Sequence, residues 1–544
     1  MNDSIARVPC PKNEPPRAYS PGSEDRRFVE RELANMLKGG FDIPLIIGGK
    51  EIRTGRTRPL RQPHDHQHTL GVFHQAGPEE ATLAVEAALA AKKEWAALSR
   101  EARAAIFLRA ADLLTGKYRY KLLAACMLGQ SKTVQQADID AVGEAADFFR
   151  WNVAFQEQIY SYQPENGTSE WNRMDYRPLD GFVYAVTPFN FTSIAANLPS
   201  SPALMGNTVV WKPSSTSVLS NWFLMSVYAE AGLPAGVINF VPGNGSDISK
   251  VVLSRREFAG IHFTGSNAVF DSLWRQAAER LDTYVSYPRL VGETGGKDFI
   301  LIDPSADLET AIPAVIRGAY EYQGQKCSAA SRLYVPRSRK DEILPRLADE
   351  IRSLPQGPVT DFRIFLSAVI DEAALDGMES YLRRASESST ERVLAGGTCD
   401  KSVGYYVKPT LIVTEDAKSP TMEKELFGPI LTAYVYDDRD MEAAYRLVDS
   451  TSPYGLTGAV MATDRRAVEN ALTGLRSSAG NLYVNDKPTG AVVGRQPFGG
   501  SRRSGTNDKA GSPFNLLRWT STCVIKENLS PTREWRHPYM AEKA

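Results

Sequence analysis

The chain has 544 residues, of which 42% are hydrophobic and 23% are charged, so it can bury large cores and should divide into two or three domains. Its 63 Lys and Arg residues nearly balance 64 Asp and Glu residues, and no run of five like charges occurs, which excludes an electrostatic footprint for nucleic acid or a membrane surface. No apolar run approaches the length of a membrane span.

The five cysteines are widely separated and never form a CxxC pair. An odd, scattered set argues against a disulfide framework and a zinc ribbon, and it indicates a reducing compartment. The opening segment has neither an apolar signal region nor the Arg-rich, acid-poor character of an organelle presequence. We therefore expect a cytoplasmic protein of a bacterium, or a mitochondrial matrix protein if the chain is a trimmed eukaryotic form.

The first elements in chain order are an irregular segment and two helices. About the first 25 residues are rich in Pro and charge, and we expect them to lie on the surface without regular structure. The stretch from 77 to 98 begins with Pro78, carries acids in its first turn and has helical apolar spacing. A second helix is predicted from residue 100 to its end at Gly116.

Short apolar runs then alternate with helical stretches. The runs at 182–186, 208–211, 237–241 and 260–263 predict a parallel sheet with helices on both faces. The alternation restarts after about residue 290, which predicts a second α/β domain. A ligand cleft is expected between two such domains.

Two strand ends could bind a dinucleotide. The segment FTGS at 263–266 leads from a strand into a helix and would present free backbone N–H groups to a pyrophosphate. Lys212 ends another strand, where its ammonium can reach a ribose or phosphate. The GxGxxG fingerprint is missing, because 243–248 lacks its third glycine. The alternatives are that the FTGS segment is an ordinary strand-to-helix turn and that Lys212 is a solvated surface lysine.

Three residues could carry chemistry. Cys327 lies among small residues beside Lys326, and we expect it at the start or middle of a helix, where the helix N-terminus or the cation would favour thiolate. The alternative, a buried structural cysteine, is the interpretation for Cys126. Glu293 is flanked by glycines and suits a mobile general base. Asn190 could form an oxyanion hole with the backbone N–H of Cys327, or simply be a turn residue.

Seven motifs occur in the order typical of the aldehyde dehydrogenase superfamily: PFNF, WKPS, FTGS, GETGGK, GQKCS, ELFGPI and PFGG, between residues 187 and 500. The chain resembles that superfamily. Stretches such as TGAVVGRQPFGGSRRSGTNDKAG resemble its 1-pyrroline-5-carboxylate dehydrogenase branch, from roughly residue 80 to 527. The resemblance implies an α/β fold with a Rossmann-type cofactor domain, a second α/β catalytic domain and a small β flap for oligomerisation.

The resemblance also implies where these units lie. We expect an N-terminal surface segment at 1–40, an NAD-binding domain at 41–158 and 181–290, a catalytic domain at 291–488, and an oligomerisation flap with the C-terminal tail at 159–180 and 506–544. The polar alternation of the segment before the first cofactor strand is expected to pair with the C-terminal STCVIKEN stretch. Such flaps imply a homodimer or a higher homo-oligomer.

The implied reaction is the NAD-dependent oxidation of L-glutamate γ-semialdehyde, the open form of 1-pyrroline-5-carboxylate, to L-glutamate in proline catabolism. Cys327 would attack the aldehyde carbon, and Asn190 with the Cys327 amide would hold the oxyanion. Glu293 would activate the water that hydrolyses the thioester. Two alternatives stay open: oxidation of another acidic semialdehyde such as succinate semialdehyde, and a non-catalytic binding protein on the same fold.

The resemblance further implies two sets of binding residues. The cofactor contacts are expected to be Thr187, Phe189, Lys212, Ser215, Gly265, Ser266, Glu425 and Phe427. The substrate contacts are expected to be Phe191, Ser328, Gly490, Ala491 and Phe498. Ser215 stands where an acidic residue often binds the adenosine ribose, which leaves NADP open although NAD is expected. No nucleic acid or membrane partner is expected, and a direct hand-off of substrate from a proline dehydrogenase is left open.

Some features have no place in this chemistry. The HDHQH stretch at 64–68 has the alternation of a metal site, but the family implied by the motifs needs no metal and none is expected. Arg363 stands where a glycine is expected, and the sequence offers no physical reason for this change. Arg502 and Arg503 are interpreted as a solvated or interface pair.

Overall fold

The computed structural model describes residues 6–542. Residues 1–5 of the predicted N-terminal segment and residues 543–544 of the predicted C-terminal tail therefore lie outside the described residues. Its α-helices are α1 Glu24–Met36, α2 Pro78–Ala97, α3 Arg100–Thr115, α4 Arg119–Gln130, α5 Val134–Ala137, α6 Ala145–Ser161, α7 Thr192–Leu204, α8 Val218–Ala231, α9 Gly245–Val252, α10 Asn267–Ala278, α11 Leu308–Tyr320, α12 Lys340–Ser353, α13 Glu372–Glu387, α14 Pro420–Glu423, α15 Met441–Ser450, α16 Arg465–Gly474 and α17 Pro513–Leu517. Within the described range, no helix has the length and apolarity to cross a lipid bilayer.

The strands are short and mostly buried. They are β1 Phe41–Ile43, β2 Leu45–Ile47, β3 Lys50–Ile52, β4 Thr57–Gln62, β5 Asp65–His74, β6 Glu170–Arg177, β7 Phe182–Val186, β8 Thr208–Lys212, β9 Ile238–Phe240, β10 Phe258–Thr264, β11 Arg289–Glu293, β12 Asp298–Ile302, β13 Ala330–Pro336, β14 Glu391–Ala395, β15 Cys399–Asp400, β16 Tyr406–Val407, β17 Thr410–Thr414, β18 Ile430–Tyr436, β19 Tyr454–Gly455, β20 Thr457–Met461, β21 Asn481–Val484, β22 Ser501–Arg502 and β23 Ser521–Asn528. A π-helical turn at Asp138–Glu144 and a 3₁₀ turn at Glu321–Gly324 complete the elements near the site.

The first large sheet has the strand order β11-β10-β7-β8-β9-β2-β3. Strands β7 to β11 pair in parallel, and β2 and β3 add antiparallel strands at one edge. The four apolar runs predicted as parallel strands all lie here, which confirms that prediction. Their nearly continuous burial is typical of a sheet covered on both faces. The sheet includes β11, which extends beyond the predicted boundary at residue 290.

The second large sheet has the order β14-β17-β18-β13-β12-β20-β21. It is parallel except for β14, which pairs antiparallel with β17 at the edge. A separate apolar core packs against each face of this sheet. The predicted fold class, two α/β units in one chain, is confirmed.

The small flap is a two-stranded antiparallel ribbon formed by β6 and β23. Glu170 lies opposite Asn528 and Arg177 opposite Ser521, so the predicted pairing of these segments is confirmed. Trp171 remains 54% exposed on this ribbon. An apolar side chain on an exposed two-stranded ribbon is unfavourable for an isolated chain.

The N-terminal region combines an irregular segment with one helix. Residues 6–20 contain no helix or strand, as predicted, whereas α1 occupies the second half of the predicted surface segment. Ser23 caps α1 because its side chain accepts a hydrogen bond from the Arg26 N–H, and two acids occupy the first turn. Tyr19 is buried, and its hydroxyl donates to Asp138 Oδ1 at 2.7 Å. The irregular segment is therefore fixed to the body of the protein.

Candidate active site

Cys327 lies in a turn between the 3₁₀ turn at Glu321–Gly324 and β13, so the prediction that it lies at the start or middle of a helix is wrong. The chain reverses direction after α11 because Tyr322 and Gln323 have φ values of 53° and 55°, and Gly324 has a φ of 66°. A right-handed helix cannot continue through left-handed residues. The turn exposes the Cys327 sulfur to a cavity rather than to a helix end.

The thiol of Cys327 is not activated by its neighbour in the sequence. Burial raises the pKa of the Cys327 thiol well above its usual range, and the nearby carboxylates of Glu293, Asp298 and Glu425 raise it further. Lys326 does not compensate, because its Nζ lies 3.2 Å from Glu321 Oε2. The expectation that this cation favours a resting thiolate is therefore wrong.

Asn190 is buried in the loop between β7 and α7 and faces the Cys327 turn. Its side-chain amide donates to the carbonyl oxygen of Gln325 at 3.1 Å. One N–H of the Asn190 amide remains after this bond. The backbone N–H of Cys327 donates to no backbone acceptor in the range 6–542. The two donors expected to bind an oxyanion therefore flank the same turn.

Glu293 is the last residue of β11 and lines the same cavity as Cys327. Burial raises the pKa of Glu293 to about 8; Asp508 adds to this effect and Lys509 opposes it. A carboxyl group with such a pKa can accept a proton from water only in its ionised form, which becomes the main form as the pH rises through about 8. Gly292 precedes it because a side chain there would clash with the Phe270 ring.

A cavity of about 470 Å³ opens beside the Cys327 sulfur. The structure brings all the predicted substrate residues together in its wall: Phe191, Ser328, Gly490, Ala491 and Phe498. Ser328 Oγ donates to Thr489 Oγ1 at 2.9 Å, which joins the Cys327 turn to the loop that carries Gly490. Gly490 has a φ of 90°, which a residue with a side chain adopts only with strain. The cavity has the size of a small-molecule site.

The sequence interpretation missed two parts of the cavity wall. Glu144, in the π-helical turn, faces the cavity, and its Oε2 accepts a hydrogen bond from Ser193 Oγ at 3.1 Å. Burial raises the pKa of Glu144 to about 8, and Asp140 contributes. The second part is the irregular stretch 13–16 near the N terminus. A signal for Glu144 was present in the sequence, because acids recur within an apolar stretch from 138 to 147.

The predicted cofactor residues lie outside this cavity, and three of them are at strand ends of the first sheet. Thr187 follows β7, Lys212 ends β8 and Gly265 follows β10, so they share the carboxyl edge of the first sheet. Ser215 lies in the turn before α8, and Ser266 precedes α10. This edge is where open α/β sheets bind dinucleotides.

The segment after β10 differs in one detail from the prediction. The backbone N–H of Gly265 donates to the Glu293 carbonyl oxygen at 3.2 Å, so it is not free for a pyrophosphate. Gly265 instead avoids a clash, because a Cβ there would lie 2.8 Å from the Phe263 ring. The Ser266 hydroxyl makes no capping bond to α10. Ser266 and the first turn of α10 therefore offer the donors at this position.

The residues at this edge fit a dinucleotide. Lys212 forms no ion pair with any residue from 6 to 542, and burial lowers its pKa to about 8, assisted by Arg58. Glu425 Oε1 accepts the Gly296 N–H at 2.9 Å, which fixes its carboxylate. The rings of Phe189 and Phe427 meet edge to face at 5.8 Å beside it. A free ammonium and a fixed carboxylate suit the phosphate and ribose groups of NAD.

Gly295 provides a test of this cofactor edge. A Cβ at Gly295 would clash with the Glu425 carboxylate. We therefore expect Gly295→Ala to raise the KM for NAD at least about tenfold, because a displaced Glu425 carboxylate would lose the contact that we expect it to make with the cofactor ribose. Steady-state kinetics with varied NAD would measure this. Gly377→Ala is the matched control, because nothing lies within 4 Å of a Cβ there; an equal effect of both variants would contradict the role of Glu425.

The remaining sequence features have structural partners. The three histidines of the 64–68 stretch each bond elsewhere: His64 Nδ1 to Ser131 Oγ at 2.8 Å, His66 Nε2 to the Lys401 oxygen at 2.9 Å and His68 Nε2 to the Leu37 oxygen at 3.1 Å. The arginines form ion pairs: Arg363 with Asp361 at 2.8 Å, Arg502 with Asp449 at 2.6 Å and Arg503 with Asp271 at 2.5 Å. Across the described chain, no cluster of His, Cys, Asp and Glu could hold a metal ion.

Comparison with known proteins gives consistent matches. A family model described as "Aldehyde dehydrogenase family" matches residues 52–525. The chain is 49% identical over 540 residues to the mitochondrial delta-1-pyrroline-5-carboxylate dehydrogenase of Dictyostelium discoideum, covering 99% of this chain and 97% of that protein.

Solved structures are similarly close. The Mycobacterium tuberculosis delta-pyrroline-5-carboxylate dehydrogenase bound with NAD superposes with a TM-score of 0.96 and 51% identity, covering 99% of this chain and 100% of that chain. Proline utilization A from Bdellovibrio bacteriovorus matches with a TM-score of 0.91 and 30% identity, covering 96% of this chain and 54% of that longer chain.

Proposed function

Because the chain belongs to the aldehyde dehydrogenase family, we propose that it oxidises L-glutamate γ-semialdehyde to L-glutamate with NAD, a step of proline catabolism. The observation that carries this proposal is the single cavity in which Cys327 and Glu293 meet the small-residue loop at Gly490. Such a loop can bring backbone N–H groups close to the carboxylate of an amino-acid substrate.

The first step assigns Cys327 as nucleophile. Its sulfur adds to the aldehyde carbon of the substrate, and the carbonyl oxygen takes the negative charge. Asn190 and the backbone N–H of Cys327 stabilise that oxyanion. Because the resting thiol holds its proton, a base must remove it before the attack. Glu293 is the carboxyl group of this cavity whose charge acts on the Cys327 thiol, so we assign the removal of that proton to it.

The cofactor would lie along the edge formed by Lys212, Ser266 and Glu425. NAD supplies the acceptor for the hydride that leaves the thiohemiacetal carbon when the oxyanion collapses to a thioester. Ser328 and the fixed turn around Cys327 hold that carbon in place while the hydride leaves.

The final step assigns Glu293 as general base. Glu293 removes a proton from water, the resulting hydroxide adds to the thioester carbonyl, and the Cys327 sulfur leaves as a thiolate. The product acid ionises to a carboxylate, and two protons are released for each hydride transferred: the thiol proton, which Glu293 passes to solvent before hydrolysis, and the proton of the acid. The substrate ammonium would lie near Glu144, and its carboxylate near Gly490 and Ala491.

This assignment predicts a pH dependence of turnover. Glu293 acts as a base only when it is deprotonated, and its pKa is raised to about 8. We therefore expect kcat at saturating substrate to rise as the pH increases through about 8 and then to level off. Glu293→Gln should lose this ascending limb. A wild-type kcat that stays constant across this interval would contradict the assignment.

Substrate class is tested by parallel kinetics with two semialdehydes. The open form of 1-pyrroline-5-carboxylate and succinate semialdehyde share an aldehyde and a carboxylate, but only the first carries an α-amino group. We expect a kcat/KM ratio of at least about tenfold in favour of the first, because only its ammonium can pair with Glu144, whereas the second leaves Glu144 with the Ser193 hydroxyl alone. A reversed ratio would support the succinate semialdehyde alternative. Turnover of neither would support a non-catalytic binding protein.

Assembly and compartment are part of the same proposal. We assign cofactor binding to residues 41–158 with 181–290, catalysis to 291–488, and dimer formation to the β6–β23 ribbon, whose exposed Trp171 favours burial against a second copy.

All five cysteines are free, which supports a reducing compartment. We propose the bacterial cytoplasm, or the mitochondrial matrix if the chain is a trimmed eukaryotic form; the D. discoideum relative is named as mitochondrial. A proline dehydrogenase could supply the substrate, by diffusion or by direct hand-off.

A further inference from the structure

Residues 13–16, here called the N-terminal strap, form part of the cavity wall. They face residues 489–493, here called the anchor loop, which line the same cavity. The strap comes from the opposite end of the chain and belongs to neither large sheet. It is therefore a wall of the cavity that the mechanism above does not use.

Asn13 connects the strap to the anchor loop. Its Nδ2 donates to the carbonyl oxygen of Val493 at 2.9 Å and to Asp147 Oδ2 at 2.8 Å. Asp147 belongs to α6, so one amide group joins the anchor loop to a helix. The other side-chain bond near the tip of the loop is local, because the Val492 N–H donates to Oε1 of Gln496, only four residues further along the chain, at 3.0 Å.

The strap itself is held rigidly. The Glu14 N–H donates to Asp147 Oδ1 at 2.7 Å, and the Glu14 carboxylate accepts from Arg119 and Arg150, each at 3.0 Å. The Arg119 side chain is 1% exposed and also contacts Asp138 at 2.6 Å. Charge-assisted bonds at a buried arginine resist displacement. The position of Asn13 is thus set by the body of the protein.

We propose that Asn13 is a positioning residue that sets the affinity of the site for the amino-acid head of its substrate. The head is expected to bind the backbone N–H groups of Gly490 and Ala491, and their direction depends on the path of the anchor loop. Asn13 fixes that path at Val493, two residues beyond Ala491. This inference rests on the proposed function, because it concerns the head group of that substrate.

The test compares two substrates that share the aldehyde and differ in the head. Asn13→Ala is expected to raise the KM for 1-pyrroline-5-carboxylate about tenfold and to leave kcat within about twofold, because the loop loses its outer attachment while Cys327 is untouched. The kcat/KM for butanal, which has no head group, should change less than about twofold. Lys12→Ala is the matched control, since Lys12 is exposed beside Asn13.

A binding measurement separates positioning from general damage. Calorimetric titration of glutamate, the expected product, should give a Kd about tenfold weaker for Asn13→Ala than for wild type. Asn13→Leu, which is close to Asn in size, carries no charge and donates no side-chain hydrogen bond, should reproduce this shift if the alanine variant does not fold. Equal losses with both substrates, or unchanged KM and Kd, would overturn the inference. Wild-type enzyme that oxidises butanal but not 1-pyrroline-5-carboxylate would instead overturn the proposed function.

Discussion

Replacing Cys327 with alanine is expected to lower the rate of NAD reduction by at least about 10⁴-fold, because no other nucleophile can form the covalent intermediate. Cys126 cannot substitute, since it is fully buried and burial raises the pKa of its thiol to about 12. Initial rates with saturating 1-pyrroline-5-carboxylate would measure the loss. The variant should still bind NAD and glutamate, because alanine leaves both binding surfaces in place.

The control for this variant is Cys10→Ala. Cys10 is exposed in the irregular N-terminal segment and lies outside the cavity. Its removal should leave the rate unchanged, and thermal unfolding should be similar for both variants. Residual turnover of Cys327→Ala near the wild-type rate would contradict covalent catalysis, whereas a parallel loss in Cys10→Ala would indicate damage unrelated to the nucleophile.

Replacing Glu293 with glutamine is expected to separate oxidation from hydrolysis. Gln cannot accept a proton from water, so hydrolysis of the thioester should slow by about 10²–10³-fold. Oxidation of the first substrate molecule can still proceed if another group takes the thiol proton. Rapid-mixing kinetics should then show a burst of reduced NAD, at most one equivalent per active site, followed by a slow steady rate.

The shape of that transient also tests the second role given to Glu293. If Glu293 alone removes the Cys327 proton, the burst itself should slow in the glutamine variant, and raising the pH should restore it by ionising the thiol directly. Linear progress from the first turnover at the wild-type rate would contradict a role of Glu293 in deacylation. Glu144→Gln is a useful comparison, because it changes a carboxyl in the same cavity and should affect KM more than the burst.

Features set by local sequence were predictable. The parallel strands of the first sheet were found because runs such as Phe182–Val186 are continuously apolar, which is typical of strands buried on both faces. The helix at Pro78–Ala97 was found because proline and acids mark its start. The pairing of β6 with β23 was predicted although hundreds of residues separate them, because resemblance supplied the long-range information.

Features that depend on tertiary contacts could not be predicted in this way. Cys327 follows three left-handed residues whose conformation depends on packing; a Cβ at Gly324 would clash with the Gly428 carbonyl. The pKa of its thiol depends on burial and on carboxylates that come from distant parts of the chain. Lys326 is adjacent in sequence, yet its charge is paired with Glu321. The proximity of Lys326 in the sequence therefore led to a wrong prediction of which charges act on the Cys327 thiol.

The N-terminal strap shows that amino-acid composition does not predict where an irregular segment lies in the folded protein. A segment rich in Pro and charge is typical of solvated surface, and residues 13–16 do lack regular structure. Their place in the cavity wall is determined by Asn13 and Glu14, whose partners lie over a hundred residues away. Glu144 was missed because its burial and its place in the cavity wall depend on contacts between distant parts of the chain.

The most direct measurement is mass spectrometry of the peptide that contains Cys327, isolated from Glu293→Gln after mixing with NAD and 1-pyrroline-5-carboxylate and quenching in acid. We expect a glutamyl thioester on Cys327, formed only when both NAD and substrate are present, because oxidation must precede acyl formation. An adduct on a different cysteine, or an unmodified Cys327 peptide despite formation of reduced NAD, would contradict the covalent mechanism assigned to this site.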